Sequence, residues 1–424
     1  MTDTIAALST GRPPAALAIV RTSGPSAHAI ARRLAGDLPP SRCASLRTLR
    51  NPLTGMEIDT AIMLRFDASA SPTGENIVEY QCHGGRAVVD ALLDALTSTG
   101  ELRLAEPGEF TRRALANGRL DLTEAEGLAD LLEAETESQR RQALALARGG
   151  LSRQVEEWQR RALDLSARAE AAIDYVGDED ETSLDLVALR ADAAALADEL
   201  SEWLSRPRTE PLKEGVRVAI AGPPNAGKSS LINALTSTDR AIVTDIPGTT
   251  RDSIEVPVSV DGVALVLIDT AGVRDSEDIV EQVGVARART EVERADLILW
   301  LGERDDAPDH PRCILVRAKA DLGGSVGDDR LAVSSRTGLN LQLLTSRVAD
   351  LAKSILPVES ELGLNRRQAE AIGSAVGALL HLPDDLLLLA ENLRSARHAF
   401  DRLTGRAGVE QAMDALFLRF CLGK

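Results

Sequence analysis

The sequence predicts a multidomain protein with an α+β N-terminal part, an α-helical middle part, and an α/β unit inserted between two helical segments. A length of 424 residues exceeds what one compact core usually serves. Residues 122–205 contain no proline and are rich in Ala, Leu, Glu and Arg, which favours long helices. From residue 216 to about 351, strand-like and helix-like runs alternate, which is typical of a parallel α/β sheet.

The first 118 residues form the predicted α+β domain. Residues 17–21 and 77–81 have the composition of short strands and are bounded by Gly and Pro. A helix is expected from about residue 85 to residue 97. We place the end of this domain at residue 118.

Helices dominate the next part of the chain, residues 119–212. Thr123, followed by Glu126 three positions later, has the form of a capping box and predicts a helix start. Helix breaks are expected near Gly149-Gly150 and in the acidic stretch 177–182.

The helical part is interrupted and then resumes. Residues 207–215 have the composition of a linker into the α/β domain, which we place at 213–354, and Leu- and Ala-rich helices resume at 355–424. This order predicts one helical domain with an insertion, although two separate helical bundles would leave the same pattern.

Composition and charge argue against several classes of protein. No apolar run approaches the roughly 20 residues that span a bilayer. The first residues lack the pattern of a signal peptide, so a cytoplasmic protein without a membrane segment is expected. The four cysteines are widely spaced and form no CxxC pair, which suggests neither a zinc knuckle nor a disulfide framework. A net charge of −17 gives no support to a nucleic-acid-binding surface over the whole molecule.

A phosphate-binding motif lies at the start of the α/β part. The apolar strand 216–221 leads into Gly222-Pro-Pro-Asn-Ala-Gly-Lys-Ser229 and then into a helix, which is the GxxxxGK[ST] pattern in its strand–loop–helix setting. The glycines let backbone amides approach phosphates, and the helix N-terminus adds positive potential. Lys228 is expected to reach the β- and γ-phosphates, and Ser229 to bind magnesium.

A second apolar strand ends in the motif Asp269-Thr-Ala-Gly272. Asp269 is expected to hold magnesium through a water molecule, and Gly272 to present its amide to the γ-phosphate. Between the two motifs, Thr250 is the threonine expected to bind magnesium only while the γ-phosphate is present, which would make it a switch.

Asp321 has the chemistry of a guanine reader, because a carboxylate accepts hydrogen bonds from the ring NH and the exocyclic amine of the base. GTPases usually carry Asn-Lys-x-Asp here, whereas this chain has Ala318-Lys319-Ala320-Asp321. Lys319 is expected to cover the plane of the base. The missing Asn predicts weaker nucleotide binding, since one side-chain hydrogen bond contributes roughly 0.5–1.5 kcal/mol. GTP is favoured over ATP, and Ser334-Ser335-Arg336 is predicted to form the last base-contacting loop.

The residues alone leave open which group orients the attacking water. Val273 replaces the Gln that many small GTPases place straight after the Asp-x-x-Gly motif. Glu281 is a candidate, although its spacing favours a solvated carboxylate at a helix start. Arg251 and Arg274 are candidate arginine fingers and, equally, candidates for surface ion pairs.

Further motifs are spread over the whole chain. They are Asp3-Thr-Ile-Ala-Ala7, Ile19-Val-Arg-Thr-Ser-Gly24, Thr73-Gly-Glu-Asn-Ile-Val-Glu79, Gln81-Cys-His-Gly-Gly85, Pro107-Gly-Glu-Phe-Thr-Arg-Arg-Ala114, Asn117-Gly-Arg-Leu-Asp-Leu122 and Phe420-Cys-Leu-Gly-Lys424. Together with the GTPase loops they resemble the MnmE (TrmE) family, within the TrmE-Era-EngA-YihA-Septin-like GTPases.

The resemblance implies both a fold and a function. The fold is a folate-binding N-terminal domain that forms a homodimer, a helical domain, and an inserted Ras-like GTPase domain. The function is the addition of an aminomethyl or carboxymethylaminomethyl group to C5 of the wobble uridine of certain tRNAs. It requires an FAD-dependent partner, MnmG (GidA), in a heterotetramer, and a tetrahydrofolate derivative, in the 5-formyl or methylene form, as the carrier of the one-carbon unit.

The resemblance also implies how hydrolysis proceeds. Paired GTPase domains use potassium in place of an arginine finger, and a cation between phosphates offsets developing charge as an arginine does. Asn225 matches the potassium-coordinating position, and Thr244, Ile246 and Thr249 lie in the loop around the ion. Glu281 matches the family's water-orienting glutamate. The residues predicted to contact GTP or its metal ions are Asn225, Ala226, Gly227, Lys228, Ser229, Ser230, Thr244, Asp245, Ile246, Pro247, Gly248, Thr249, Thr250, Asp269, Thr270, Ala271, Gly272, Ala318, Lys319, Asp321, Ser334, Ser335 and Arg336.

A second set of residues is implied for folate. The residues in the family's folate-contacting positions are Arg21, Glu79, Arg119 and Lys424. Arg119 stands where the family can have Lys, which preserves the charge. Cys421 matches a C-terminal cysteine of the family and joins Glu281 and Asp269 as a candidate catalytic residue, with a structural thiol as the alternative. The run Gly11-Arg-Pro-Pro-Ala-Ala16 departs from the glycine-rich run of the family.

Two other functions fit part of the sequence. The first is a ribosome-assembly GTPase switch of the Era or Der type. Der-like chains carry two phosphate loops, whereas we find one, and Era-like chains end in a basic KH module, whereas this chain ends in Leu-rich segments. The second is a folate-dependent aminomethyl carrier with a regulatory GTPase, acting on a protein or a metabolite.

Overall fold

The computed structural model describes residues 3–174, 186–237, 242–243, 254–269, 290–323, 329–358, 361–407, 409–420 and 423. The chain divides into two compact units. The first comprises Met1–Ala129, Ala147–Val155 and Asp401–Lys424, and the second comprises Asp130–Leu146 and Glu156–Phe400. The three boundaries between the four segments derived from the sequence stay predictions.

The first unit is built on a six-stranded sheet with order β3-β4-β5-β2-β1-β6. Neighbouring strands are antiparallel except for the parallel β1–β6 pair. Its elements are β1 Thr4–Leu8, β2 Leu17–Ser23, α1 Ala27–Ala35, β3 Ser45–Arg50, β4 Glu57–Phe66, β5 Ile77–His83, α2 Arg86–Thr97, β6 Leu102–Leu104 and α3 Glu109–Ala116. The strands predicted at 17–21 and 77–81 and the helix predicted at 85–97 are confirmed as β2, β5 and α2.

Buried and partly exposed side chains alternate along the strands, so the two faces of this sheet differ. Val20 and Tyr80 point into a core that also contains Ile30 of α1 and Leu92 of α2. Because side chains alternate between faces, Glu79 on β5 lies on the opposite face of the sheet. That face carries the residues implied for folate on β2 and β5.

In its described residues, the helical segment before the α/β part contains four long helices. They are α4 Leu122–Glu133, α5 Glu137–Ala147, α6 Gly150–Asp174 and α7 Leu186–Ser205. The break expected at Gly149-Gly150 is present, and a further break at 134–136 was not predicted. The break expected at 177–182 lies outside the described residues.

The capping box at the start of α4 differs from the predicted one. Asp121 Oδ1 accepts a hydrogen bond from the Glu124 amide, and Glu124 Oε2 accepts one from the Asp121 amide, at 2.9 and 2.8 Å. The pair Asp121–Glu124 therefore caps the helix, and the prediction of Thr123 with Glu126 was wrong. The Thr123 hydroxyl instead donates to Asp121 and contacts the Ser152 hydroxyl.

Helices from both sides of the α/β part pack together in the second unit. The helices after it are α11 Arg366–Leu380, α12 Leu386–Thr404 and α13 Glu410–Phe417. Helix α7 packs along α11, and the Trp158 ring of α6 lies 6.1 Å from the Phe400 ring of α12. Arg190 of α7 donates to the carbonyls of Leu382 and Pro383. Helices that precede and follow the α/β part thus pack together within the second unit, as expected for a helical domain with an insertion.

The α/β part is a seven-stranded sheet with order β13-β12-β11-β7-β10-β9-β8. Its elements are α8 Glu210–Glu214, β7 Val216–Ala221, α9 Lys228–Thr236, β8 Ile242–Val243, β9 Ile254–Val260, β10 Val263–Asp269, β11 Leu297–Trp300, β12 Cys313–Arg317, β13 Leu331–Ala332 and α10 Leu341–Ile355. The five strands from β13 to β10 are parallel, as predicted.

Strands β9 and β8 depart from the predicted parallel sheet. Both pair antiparallel, β9 with β10 and β8 with β9. Asp261 and Gly262 join β9 to β10 with φ values of 48° and 81°. Positive φ at both central residues is the type I′ hairpin turn, which connects antiparallel strands. Asp-Gly between two apolar runs was the sequence signal for this hairpin.

Among the described helices, none is both long and apolar enough to cross a bilayer.

Candidate functional site

The phosphate loop connects the end of β7 to the start of α9. Gly222 and Gly227 have φ values of 148° and 101°, in the region that favours glycine. A Cβ on Gly222 would lie 3.1 Å from the backbone of Leu301, which directly follows β11, so the loop runs close to the end of the neighbouring strand. Asn225 has φ 61°, a conformation that Asn tolerates better than most residues. The loop thus has the tight, left-handed geometry that exposes backbone amides.

Lys228 is the first residue of α9 and its side chain folds back over the loop. The Nζ atom donates to the carbonyls of Gly222 and Pro223 at 2.8 and 2.9 Å. Only 7% of Lys228 is exposed, so its charge is held inside the loop. Phosphate oxygens in this loop would offer stronger, charged acceptors to the same ammonium group.

Ser229 and Asp269 come together at the next position. The Ser229 hydroxyl donates to Asp269 Oδ2 at 2.7 Å. Strand β10 lies beside β7 in parallel register, with Asp269 opposite Ile220, so the end of β10 reaches the first turn of α9. A hydroxyl and a carboxylate are the hard oxygen ligands that magnesium prefers, which fits a magnesium ion bound at this position.

A cavity of about 640 Å³ opens beside the loop. This volume falls within the range of roughly 300–1,000 Å³ typical of small-molecule sites. Its walls are α9 and the segments that follow β12 and β13. The lining residues are Gly227, Ser230, Asn233, Ala234, Ser237, Ala318, Lys319, Asp321, Leu322, Ser335 and Arg336.

Asp321 is held in this cavity wall by a neighbour thirteen positions later. The hydroxyl of the buried Ser334 donates to Asp321 Oδ1 at 2.7 Å and accepts from the Thr337 amide at 3.2 Å. The hydrogen bond from Ser334 lowers the pKa of Asp321, so the exposed carboxylate stays ionised near neutral pH. Ser334 therefore contacts Asp321, and the prediction that Ser334-Ser335-Arg336 forms a base-contacting loop stays a prediction.

Lys319 joins the base side of the site to the phosphate loop. Its Nζ donates to the Asn225 carbonyl at 2.7 Å. Its backbone has φ 56°, and the following Ala320 amide donates to the Val333 carbonyl at 3.1 Å. The positive φ of Lys319 and the hydrogen bond from the Ala320 amide direct the segment after β12 toward the cavity.

The structure therefore brings together most of the described residues predicted to bind nucleotide. Those that line the cavity, belong to the phosphate loop, or contact one of these residues are Asn225, Gly227, Lys228, Ser229, Ser230, Asp269, Ala318, Lys319, Asp321, Ser334, Ser335 and Arg336. Ala226 lies in the same loop and packs against the core of the domain. The predicted residues that lie outside the described part of the chain are Thr244, Asp245, Ile246, Pro247, Gly248, Thr249, Thr250, Thr270, Ala271, Gly272 and Glu281, together with Arg251, Val273 and Arg274.

Sequence reasoning missed the part of the cavity wall that α9 supplies. Asn233, Ala234 and Ser237 line the cavity with Ser230. Their spacing of three and four positions is that of one helix face. This periodicity was the signal that could have identified them.

Arg21 and Glu79, implied for folate, form an ion pair on the first unit. They are opposite each other on β2 and β5. Arg21 Nε and Nη2 both approach Glu79 Oε1, at 2.9 and 2.7 Å. The guanidinium carbon also lies 5.7 Å from the centre of the Phe110 ring of α3. The Arg21 side chain is therefore fixed and 22% exposed.

The C-terminal tail reaches the same pair. The Gly423 carbonyl accepts from the Ser9 hydroxyl at 3.0 Å and from Arg21 Nη1 at 3.4 Å. Arg119, also implied for folate, donates to the Ala68 carbonyl at 2.6 Å. Lys424 and Cys421, which flank this tail position, lie outside the described residues.

Two family models match the chain. The one described as "GTP-binding protein TrmE N-terminus" matches residues 4–119, and the one described as "MnmE helical domain" matches residues 122–421.

Relatives named "tRNA modification GTPase MnmE" match over nearly their full length. The protein of Erythrobacter litoralis is 48% identical over 425 residues, covering 100% of both chains. That of Novosphingobium aromaticivorans is 48% identical over 437 residues, also covering 100% of both. That of Sphingopyxis alaskensis is 49% identical over 420 residues, covering 96% of this chain and 100% of the relative.

One solved structure matches a third of the chain. The G domain of the T. maritima FeoB iron transporter is 28% identical and covers 32% of this chain and 98% of that one, with a TM-score of 0.24.

Proposed function

The chain belongs to the MnmE family of tRNA modification GTPases, and we propose that it hydrolyses GTP in the modification of the wobble uridine of certain tRNAs. In this proposal it works with an FAD-dependent partner, MnmG, and adds an aminomethyl or carboxymethylaminomethyl group to C5 of the base. A tetrahydrofolate derivative, in the 5-formyl or methylene form, supplies the one-carbon unit. The site of action is the cytoplasm.

One observation carries the proposal. A phosphate loop that ends in a serine–aspartate pair suited to magnesium lies beside a cavity, and a carboxylate suited to guanine lines that cavity. They do so in a chain that aligns from end to end with relatives named for tRNA modification. The nucleotide site alone would fit many GTPases, and the full-length match supports the tRNA substrate.

The described residues have distinct tasks in GTP hydrolysis. Lys228 exchanges the carbonyls of Gly222 and Pro223 for oxygens of the β- and γ-phosphates. Asp321, oriented by Ser334, accepts hydrogen bonds from the guanine ring NH and amine, a pairing that adenine cannot make. Because both groups are held in place before GTP arrives, little ordering is needed on binding.

Two metal ions are part of the proposal. Ser229 and Asp269 hold magnesium, together with Thr250. Asn225 holds potassium, together with Thr244, Ile246 and Thr249. The ions supply positive charge that offsets charge developing on the transferred phosphoryl group. Glu281 orients the attacking water and thereby fills the role of the Gln that Val273 replaces.

Folate binds at Arg21 and Glu79, with Arg119 and Lys424. A guanidinium and a carboxylate side by side suit a ligand that has both an anionic tail and amine donors. Only part of the Arg21–Glu79 pair is exposed, which limits competition from water. Cys421 is the candidate nucleophile of this region.

A homodimer fits the open face of the first sheet. Leu17, Leu46 and Ile62 are 60%, 64% and 40% exposed. Leu46 and Ile62 are opposite each other on β3 and β4, and the neighbours Ala61 and Met63 point into the core on the other side. Of these, Leu46 and Ile62 are adjacent, and adjacent exposed apolar side chains on a sheet face favour a protein interface. We propose that two copies pair through this face and assemble with MnmG into a heterotetramer.

Nucleoside analysis of tRNA tests the function directly. In a strain that lacks this protein, wild-type chain should restore the modified wobble uridine, and Lys228→Ala should not. Lys353→Ala is the matched control, because Lys353 is an exposed lysine on α10 of the same domain. Normal modification in the strain without the protein would overturn the tRNA function and leave a ribosome-assembly GTPase of the Era or Der type, or a folate-dependent carrier for another substrate.

A further inference from the structure

We propose that Gly423 is a positioning residue for the Arg21–Glu79 site, which it serves by holding a backbone carbonyl against the Arg21 guanidinium. The inference rests on the proposed folate function of that site. Gly423 acts on this site through Arg21 and Ser9.

The tail passes the end of β1 too closely for any side chain. A Cβ on Gly423 would lie 2.3 Å from the Leu8 carbonyl oxygen and 2.7 Å from Ser9 Cα. These atoms belong to the backbone and cannot move aside as a flexible side chain would. Gly423 also has φ 90°, a conformation that residues with a Cβ rarely adopt. Two independent constraints therefore demand glycine at this position.

The close approach gives the Gly423 carbonyl two donors. The Ser9 hydroxyl donates to it at 3.0 Å, and Arg21 Nη1 at 3.4 Å. Ser9 is itself fixed, because its amide donates to the Ile19 carbonyl at 2.7 Å and so extends the pairing of β1 with β2. The carbonyl is thus held between the sheet and the guanidinium.

Arg21 is consequently oriented from three sides. Nε and Nη2 are directed to Glu79, Nη1 is directed to the Gly423 carbonyl, and the Phe110 ring lies against the guanidinium. A planar guanidinium offers its donors in a fixed fork. With this fork already oriented, a ligand meets an ordered cation and does not have to restrict the rotamers of Arg21 on binding.

The tail is anchored a few residues before Gly423. Phe417 and Phe420 are 1% and 3% exposed in a core with Leu122 and Ala125. Gly108 lies so close that a Cβ there would be 2.6 Å from the Phe417 carbonyl. The chain therefore reaches Gly423 from a fixed point, and displacement at Gly423 alone would release the carbonyl.

Calorimetric titration of the full-length protein with 5-formyltetrahydrofolate tests the role. Gly423→Ala should weaken binding by about tenfold or more, which corresponds to roughly 1.4 kcal/mol. Ser9→Ala, which removes one donor without backbone strain, should weaken it by about threefold. The matched control is Gly100→Ala. Gly100 has φ 70° but open space around it, so its replacement imposes similar strain in the same unit and should leave affinity unchanged.

A double-mutant cycle separates positioning from general damage. In an Arg21→Ala background, Gly423→Ala should cause no further loss, because the group that it orients is absent. An equal loss in both backgrounds, or wild-type affinity of Gly423→Ala, would overturn the positioning role while leaving the folate function intact. Failure of the wild-type protein to bind 5-formyltetrahydrofolate would overturn the folate function itself, and with it this inference.

Discussion

The Ser334 hydroxyl, fully buried, donates a 2.7 Å hydrogen bond to Asp321 Oδ1 at the wall of the nucleotide cavity. The bond fixes one carboxylate oxygen of Asp321 and keeps the group ionised by lowering its pKa. The residue expected to select guanine is therefore supported by a side chain that itself faces the protein interior.

Replacement of Ser334 should weaken GTP binding without changing the base preference. Ser334→Ala removes one hydrogen bond worth roughly 0.5–1.5 kcal/mol, so we expect the dissociation constant for GTP to rise about fivefold. Ser354→Ala, at an exposed position on α10, serves as the control. Unchanged affinity in a fluorescent-nucleotide titration of Ser334→Ala would mean that the Ser334–Asp321 hydrogen bond does not support GTP binding.

Exchange of the acid should change which base is accepted. Asp321→Asn presents an amide, which can donate to the second carbonyl of xanthine where the carboxylate accepted from the amine of guanine. We expect GTP to lose affinity and xanthosine triphosphate to gain it, so that the order of the two dissociation constants reverses. Asp350→Asn, exposed on α10, should leave the order unchanged. Retention of GTP preference by Asp321→Asn would show that another residue reads the base.

Restoration of the usual asparagine should tighten binding. Ala318 lines the cavity and its Cβ lies 3.7 Å from where a Cβ on Gly227 would be, so an amide at this position would face the bound nucleotide. Ala318→Asn should lower the dissociation constant for GTP by about fivefold, the value of one added hydrogen bond. A competition titration of the variant and the wild type measures the two dissociation constants. Equal values would show that the Ala at position 318 does not weaken GTP binding.

The phosphate-binding end of the fold was predictable because local pattern and tertiary structure agree there. A GxxxxGK[ST] motif requires a strand before it and a helix after it, and β7 and α9 have these positions. The start of α4 was different, since Asp121–Glu124 and Thr123–Glu126 both fit a capping pattern. The Thr123 hydroxyl contacts the distant Ser152, and such a contact cannot be predicted from neighbouring residues.

The contacts of Ser334 with Asp321 and of Gly423 with Arg21 were not predictable for a similar reason. Ser334 reaches Asp321 because β13 lies beside β12, and Gly423 reaches Arg21 because the tail returns to the first sheet. Each pairing is set by strand order or chain return over a long sequence separation. The sequence motifs identify the side chains expected to face a ligand, such as Asp321 and Arg21. The fold identifies the groups that contact and orient those side chains.

Acid should destabilise the first unit through a buried ion-pair cluster. Arg113, fully buried, bonds to Glu109 at 2.9 Å, and Arg103 bonds to Glu109 at 2.6 Å. Burial alone would raise the pKa of Glu109, but hydrogen bonds from Arg103, the Glu106 amide and Arg113 hold it at about 2, against an ordinary value of 4.5. A folded-state pKa below the unfolded one stabilises the protein above pH 4.5, and this stabilisation is lost as the pH falls from 4.5 toward 2.

Replacement of Glu109 tests this cluster. Glu109→Gln should lower the free energy of unfolding at pH 7 by about 3 kcal/mol, since loss of one partner of a buried pair costs roughly 3–5 kcal/mol. The variant should also lose less stability than wild type between pH 4.5 and pH 3 in thermal melting. Glu101→Gln, whose ion pair with Arg33 is exposed, is the control. Equal acid sensitivity of Glu109→Gln and wild type would assign the acid effect to other carboxylates.

Potassium should accelerate GTP hydrolysis, and the amide of Asn225 should be needed for the effect. Asn225 has φ 61°, so glycine can replace it without backbone strain, and Asn225→Gly deletes the side chain alone. Wild-type protein should hydrolyse GTP faster in potassium than in sodium at equal ionic strength, and Asn225→Gly should bind GTP but show equal rates in the two salts. Asn340→Gly is matched to it, because Asn340 has φ 56° in the same domain and lies at the start of α10, and it should keep the potassium effect. A wild-type rate that does not distinguish the two ions would remove potassium from the mechanism, whereas a potassium effect that survives in Asn225→Gly would move the ion to other ligands.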